Sequence, residues 1–137
     1  MTEREDRQDI GEVLVRYATG IDRRDWSLFR TVFTADCELD YGDIGSWHGV
    51  DEVTEFMEQA HAMAGHTMHR ITNIAATVDG DTAVARAYID GLIMAADNAS
   101  GVNAIGFYDD ELVRTAQGWR IARRCFTPVR VTVVGQP

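Results

Sequence analysis

Between His66 and Val134 the chain alternates apolar and polar residues with only three interruptions, at Asp79-Gly80-Asp81, Ala96 to Ser100 and Ala116-Gln117-Gly118. Successive side chains of a strand point to opposite faces. The pattern therefore predicts four consecutive antiparallel strands: His66 to Val78, Thr82 to Ala95, Gly101 to Thr115 and Gly118 to Val134. At about 12 residues or more each, they exceed the usual length of 5–6. Strands that long accumulate twist, so the sheet they form is strongly curved. Asp79-Gly80 suits a type I′ hairpin turn, and Gly91 and Gly106 are expected at bulges or bends.

The first half reads differently. Ile10, Val13, Leu14, Tyr17, Ala18 and Ile21 form a stripe at helical spacing, predicting a helix over Asp9 to Ile21 whose end Gly20 weakens. Asp25 is placed to cap a short second helix with Trp26, Leu28, Phe29, Val32 and Phe33 on its apolar side. Asp36 to Tyr41 alternates as a strand, Gly42 to Ser46 is turn material, and a third helix runs from Val50 to Met63. Asp51 and Glu52 occupy its favoured anionic first turn, and Val53, Phe56, Met57 and Ala60 make its buried stripe. Three helices followed by a long antiparallel meander is an α+β arrangement, the helices covering one face of the sheet. Curled around them, the sheet makes a cone-shaped α+β barrel with a deep apolar pocket.

One domain accounts for all 137 residues, with Met1 to Gln8 expected as a flexible N-terminus. That segment is charged and lacks an apolar core, so it does not read as a signal peptide. No apolar run approaches the roughly 20 residues of a membrane span. A net charge of -9 argues against nucleic acid or an anionic membrane as partner. Cys37 and Cys125 lack metal-ligand spacing and, without a secretory signal, are expected as reduced thiols in the cytoplasm. No phosphate loop, dinucleotide fingerprint or Ser/Cys nucleophile motif is present, and no cofactor is expected.

Gly65 to Ile74 carries the histidines of interest. His69 shares a strand face with Thr67, Ile71 and Asn73, whereas His66 points the other way with Met68. With His61 on the third helix, the three imidazoles do not converge, and no metal site is expected.

Several segments taken together resemble the SnoaL-like, nuclear-transport-factor-2-like superfamily. They are Tyr17-Ala18 with Asp22, Asp25 and Trp26; Leu39-Asp40-Tyr41; Thr67-Met68-His69; Asp79-Gly80-Asp81; and Gly118-Trp119-Arg120-Ile121. The nearest branch is the one holding scytalone dehydratase, bile acid 7α-dehydratase and hexachlorocyclohexane dehydrochlorinase. The resemblance implies an Asp–His dyad at Asp22 and His69, pocket tyrosines at Tyr17 and Tyr41, and a pocket arginine at Arg124. The chain also departs from the pattern. Ile93 stands near scytalone dehydratase's second histidine and Ile21 at its other pocket tyrosine, while Tyr41 stands where the ketosteroid isomerase base is expected, with Asp40 on the opposite face. The resemblance thus implies a reaction class and not one enzyme.

The chemistry agrees with such a dyad. Abstracting a proton beside a carbonyl calls for a neutral base poised near working pH, which imidazole supplies. A carboxylate partner fixes the tautomer and offsets the effect of burial. Tyr17 and Tyr41 are placed to donate to a carbonyl oxygen or departing hydroxyl, and Arg124 to stabilise negative charge. The expectation is a cofactor-independent lyase of dehydratase type, acting on a hydrophobic small molecule in a pocket lined by Trp26, Phe29, Phe56, Met57 and Phe107. Isomerase or cyclase chemistry with the same base, and a non-catalytic ligand-binding or dioxygenase β-subunit-like role, are the alternatives. The apolar Val129, Val131, Val133 and Val134 suit a strand packed between copies of the chain, and the resemblance implies a trimer, with a dimer as the alternative.

Overall fold

The computed structural model describes residues 2–135. Helix α1 (Glu3–Asp22) starts six residues before the expected Asp9. Thr2 and Glu5 form a reciprocal capping box, each side chain bonding the other's amide at 3.1 Å. Within the first turn Asp6 is buried, bonded to Arg114 at 2.8 and 2.9 Å and to the Trp119 indole at 3.1 Å. Residues 2–8 are therefore cap and helix, not a flexible lead; residue 1 lies outside the described residues. The Arg114 and Trp119 hydrogen bonds outweigh burial and hold the Asp6 carboxyl at about 2.

α1 runs through Gly20, which is needed there: a Cβ would sit 2.9 Å from the Phe29 backbone. Helix α2 (Trp26–Arg30) is capped by Asp25, whose Oδ1 accepts from the Leu28 amide at 3.0 Å. Phe33 belongs not to α2 but to strand β1 (Phe33–Asp40). The turn after it contains a short edge strand that the pattern did not predict, β2 (Ser46–His48). Helix α3 (Val50–His61) buries Val53, Thr54, Met57 and His61. Ala60, expected inside, is exposed, because the inward line steps by four, from 53 to 57 to 61.

Strands β3 (Ala64–Asp79), β4 (Thr82–Ala95), β5 (Gly101–Thr115) and β6 (Gly118–Val134) follow as an antiparallel meander. The sheet order is β2-β1-β6-β5-β4-β3, with β1 parallel to β6. The cone is thus a curved six-stranded mixed sheet with two free edges, β2 and β3, and not a closed barrel. In the β3–β4 hairpin only Gly80 has positive φ, at 62°, so its geometry is that of a II′ turn and not I′.

Three bulges decide which residues face the helices. The first separates Thr72 from Ala75, with Asn73 at φ 52°, so Asn73 does not continue the face of His69. The second adjoins Gly106, as expected, whereas Gly91 pairs in register with His69 and Ala104. The third places Ala122 unpaired between Ile121 and Arg123. Uninterrupted alternation from Trp119 and Ile121 would bury Arg123; the extra residue turns Arg124 inward instead. Inside, Tyr17, Phe29, Phe33, Tyr41, Tyr108 and Phe126 make a dense aromatic core. Cys37 is buried and Cys125 exposed, both free thiols, and burial pushes the Cys37 thiol up to about 11. Val129, Val131 and Val133 are exposed in the single chain.

Candidate active site

Asp22, the last residue of α1, meets the start of β3. Its Oδ1 accepts from the His69 ring Nδ1 at 2.7 Å and from the Thr67 hydroxyl at 2.9 Å, and its Oδ2 accepts from the His69 amide at 2.8 Å. Arg24 supports the pair from behind: its guanidinium donates to Thr67 Oγ1, the Ile21 carbonyl and the Gly65 carbonyl, each at 2.8 Å. Arg24 adopts φ 55°, a left-handed conformation that turns the chain out of α1. Thr67 and Arg24 were not singled out from the sequence. Thr67 was legible, lying on the face of His69 two residues away; Arg24 was not, since its partners are 41 and 43 positions distant.

Because a carboxylate only accepts, His69 Nδ1 carries the hydrogen, and in the neutral ring Nε2 presents a lone pair. Burial raises the Asp22 pKa, but the His69 ring, the His69 amide and Thr67 outweigh it and the net direction is down. Asp22 is therefore ionised at neutral pH. The His69 side chain is 9% exposed and that of Asp22 25%, so the pair is not sealed from solvent. Gly91 faces His69 across the β3–β4 pair, where a Cβ would lie 3.5 Å from the ring Cδ2 and 3.8 Å from Nε2. On the other side stands the His61 ring, 6.0 Å from that of His69, and Trp26 lies 6.2 Å from His61. His66 is exposed on the opposite face.

The remaining expected residues form a second cluster. The Tyr17 and Tyr41 hydroxyls share a 2.8 Å hydrogen bond. Arg124 lies over the Tyr17 and Tyr108 rings at 4.4 and 3.8 Å and pairs with Asp110 through bonds of 2.7 and 2.8 Å. Its Nη1 is buried without a hydrogen-bond partner among the described residues. Burial raises both tyrosines far above the ordinary value, leaving them hydroxyl donors and not bases. A run of ring contacts through Phe29, Trp26 and His61 joins this cluster to the dyad.

The apolar lining is only partly assembled. Trp26 flanks the histidines, Met57 anchors His61 through its carbonyl, and Phe29 is fully buried between Tyr17 and Trp26. Phe56 stacks on Trp47 at 4.4 Å. Phe107 is a correction: its ring lies under the Arg86 guanidinium on the outer face, because its neighbour Tyr108 takes the inward position. Two grooves lie away from the dyad. One, of about 700 Å³, is lined by charged groups including Glu38, Asp40, Glu111 and Arg123; the other, of about 430 Å³, runs along α1 beside Ile74. Among the described residues no three His, Cys, Asp or Glu side chains gather as metal ligands, and no helix is long and apolar enough to cross a membrane.

The family model described as "SnoaL-like domain" matches residues 2–125. The chain belongs to the SnoaL-like family. A relative of this SnoaL-like domain, the uncharacterised protein Rv2910c of Mycobacterium tuberculosis, is 34% identical over 124 residues, covering 89% of this chain and 84% of that one. A crystal structure from Novosphingobium aromaticivorans, provisionally named an aromatic ring hydroxylase, is 31% identical with a TM-score of 0.84, covering 99% and 96% of the two chains. A hexachlorocyclohexane dehydrochlorinase of type 2 superposes with a TM-score of 0.82 at 18% identity, covering 98% and 90%, and shares the fold. Structural neighbours of the SnoaL-like domain lie in the NTF2-like family and include proteins provisionally named dehydratases.

One consequence follows for pH. A depressed carboxylate pKa stabilises the fold above the ordinary value of about 3.9 and ceases to do so as pH falls through the folded value. Thr67→Val removes one donor to Asp22, so the acid limb of unfolding is expected at higher pH in the variant, read by far-UV circular dichroism. An unmoved limb would mean that the Thr67 bond does not hold the carboxylate.

Proposed function

We propose that the protein is a cofactor-independent lyase of dehydratase type, acting on a hydrophobic small molecule with His69 as base. The observation that carries this reading is the two-pronged hold of Asp22 on His69, at ring and amide. It fixes the tautomer with Nε2 bare, and it stabilises the imidazolium that forms when Nε2 takes a proton. In the proposed step Nε2 removes the proton α to a carbonyl. The C–H electron pair forms the new C=C bond, and the β C–O bond breaks. The departing hydroxide takes the proton from Nε2, so water is lost and His69 is regenerated. In the same reading the hydroxyl of the Tyr17–Tyr41 pair whose hydrogen is not given to the other donates to the substrate carbonyl. Arg124, already neutralised by Asp110, packs on the Tyr17 and Tyr108 rings and adds its free Nη1. Self-association is part of the proposal, with the exposed valines of β6 as contact; light scattering tests it, a trimeric mass being expected.

The test is incubation with a panel of hydrophobic β-hydroxy ketones in heavy water. A product lighter by one water is expected, with deuterium at the α-carbon of recovered substrate where a solvent-exchanged deuteron returns from Nε2 before the β C–O bond breaks, and neither with His69→Ala. Exchange without mass loss would favour an isomerase or cyclase. Similarity to the provisionally named ring hydroxylase supports one other reading, a non-catalytic oxygenase subunit. No exchange on any substrate, with a large oxygenase subunit co-purifying, would favour it.

A further inference from the structure

We propose that His61 is a specificity-determining residue of this site, its unprotonated Nε2 accepting a hydrogen bond from a hydroxyl that the substrate carries beside the carbon deprotonated by His69. The inference rests on the reading of Asp22 and His69 given above and narrows the substrate class to hydroxylated hydrophobic molecules.

His61 occupies the inward line of α3, one turn after Met57. Its Nδ1 lies 2.7 Å from the Met57 carbonyl oxygen. A carbonyl only accepts, so the hydrogen is on Nδ1 and the neutral ring has its lone pair on Nε2. The side chain is buried in a wall made by Trp26 and His69. Charged or titratable groups reach it from three directions: His69 on β3, Asp22 at the end of α1, and Arg24 just beyond. Burial is the largest influence and lowers the His61 pKa; His69 and Arg24 act in the same sense, outweighing the Met57 bond and Asp22. The ring is accordingly neutral at neutral pH.

His69 is fixed in the same tautomer by Asp22. Two imidazoles 6.0 Å apart thus each hold a bare Nε2, and no described protein group donates to either nitrogen. Two acceptors cannot satisfy one another. A molecule offering an acidic C–H to one and an O–H to the other satisfies both, with the Trp26 ring as apolar wall. An ether or carbonyl oxygen in the hydroxyl's place would set lone pair against lone pair.

The test uses 1-naphthol and 1-methoxynaphthalene, which differ at that hydrogen, titrated against the wild-type protein and His61→Asn. The asparagine amide reproduces the donor to the Met57 carbonyl and deletes Nε2. Wild type is expected to bind the naphthol about tenfold more tightly than the ether, and the variant to narrow this to about twofold or less. Nitrogen-15 imidazole spectra at neutral pH are expected to show His61 with Nδ1 protonated and Nε2 bare, the Nε2 resonance moving only when naphthol is added. A protonated Nε2 in the free protein, an undiminished preference in His61→Asn, equal affinities in wild type, or binding of neither probe would each overturn the proposal. Binding is read without turnover, so this failure is distinct from failure of the base: deuterium exchange that survives in His69→Ala removes the base assignment, whatever the naphthol preference.

Discussion

His69→Ala is expected to lower turnover by about 10²–10⁴-fold while leaving the melting curve close to that of wild type. The loss should fall on kcat, because the side chain acts on the proton in flight and contributes little to holding the substrate. Asp22→Asn should lose activity on the same scale although it changes only two atoms' chemistry. The carboxylate serves different donors with its two oxygens: Oδ1 faces the ring and the Thr67 hydroxyl, Oδ2 faces the His69 amide. An asparagine amide cannot reproduce this in either orientation. With its oxygen toward the ring, its NH₂ opposes the His69 N–H. Flipped, it donates to Nδ1 and drives the ring hydrogen onto Nε2, abolishing the base. Steady-state kinetics on a confirmed substrate, with circular dichroism as a control for folding, measures both. Wild-type rates in the two variants would end the dyad mechanism.

That dyad was legible in the sequence because each member sits on a regular element with a short reach to the other. Asp22 closes an amphipathic helix, and His69 is on the inward face of a strand, in the regular stretch between the irregularities at Ala64/Thr67 and Thr72/Ala75. The residues that were not legible lie where alternation breaks or where partners are remote. The unpaired Ala122 inverts the phase of β6, and only after it is located is Arg124 inside and Arg123 outside. Phe107 was misplaced by a single residue, since two adjacent aromatics on one strand give alternation no way to choose between them. The N-terminal helix was begun too late because what orders it, Arg114 binding Asp6 across 108 positions, is a tertiary contact. The burial of His61 was legible, since it continues the four-residue line of Val53 and Met57. Ile93 brings no second histidine; the imidazole that stands near His69 is His61 of α3, with ring centroids 6.0 Å apart.

Asp110→Ala is expected to destabilise the protein by roughly 3–5 kcal/mol, the cost of leaving one partner of a buried ion pair without its counter-charge. Both side chains are at 0% exposure, so the pair is withdrawn from bulk solvent. The guanidinium already has one nitrogen without a partner, and removing Asp110 would free two more. The Tyr17 and Tyr108 faces cannot compensate, since a cation over an aromatic ring contributes only about 0.5–2 kcal/mol. For a domain of this size the melting temperature should fall by about 10 °C, and against a total stability of about 5–15 kcal/mol the variant is close to the limit of folding. The double variant Asp110→Leu with Arg124→Met separates charge from shape. Removing both charges together should recover most of the lost stability, as replacing a buried ion pair by apolar groups of similar volume is often neutral or favourable. Denaturant titration of the three proteins decides it. A double variant as unstable as the single one would show that Arg124 supports the tyrosine floor through its stacking and not through its balanced charge. Recovery of stability without recovery of turnover would point to Arg124 and its free Nη1 acting in the chemistry.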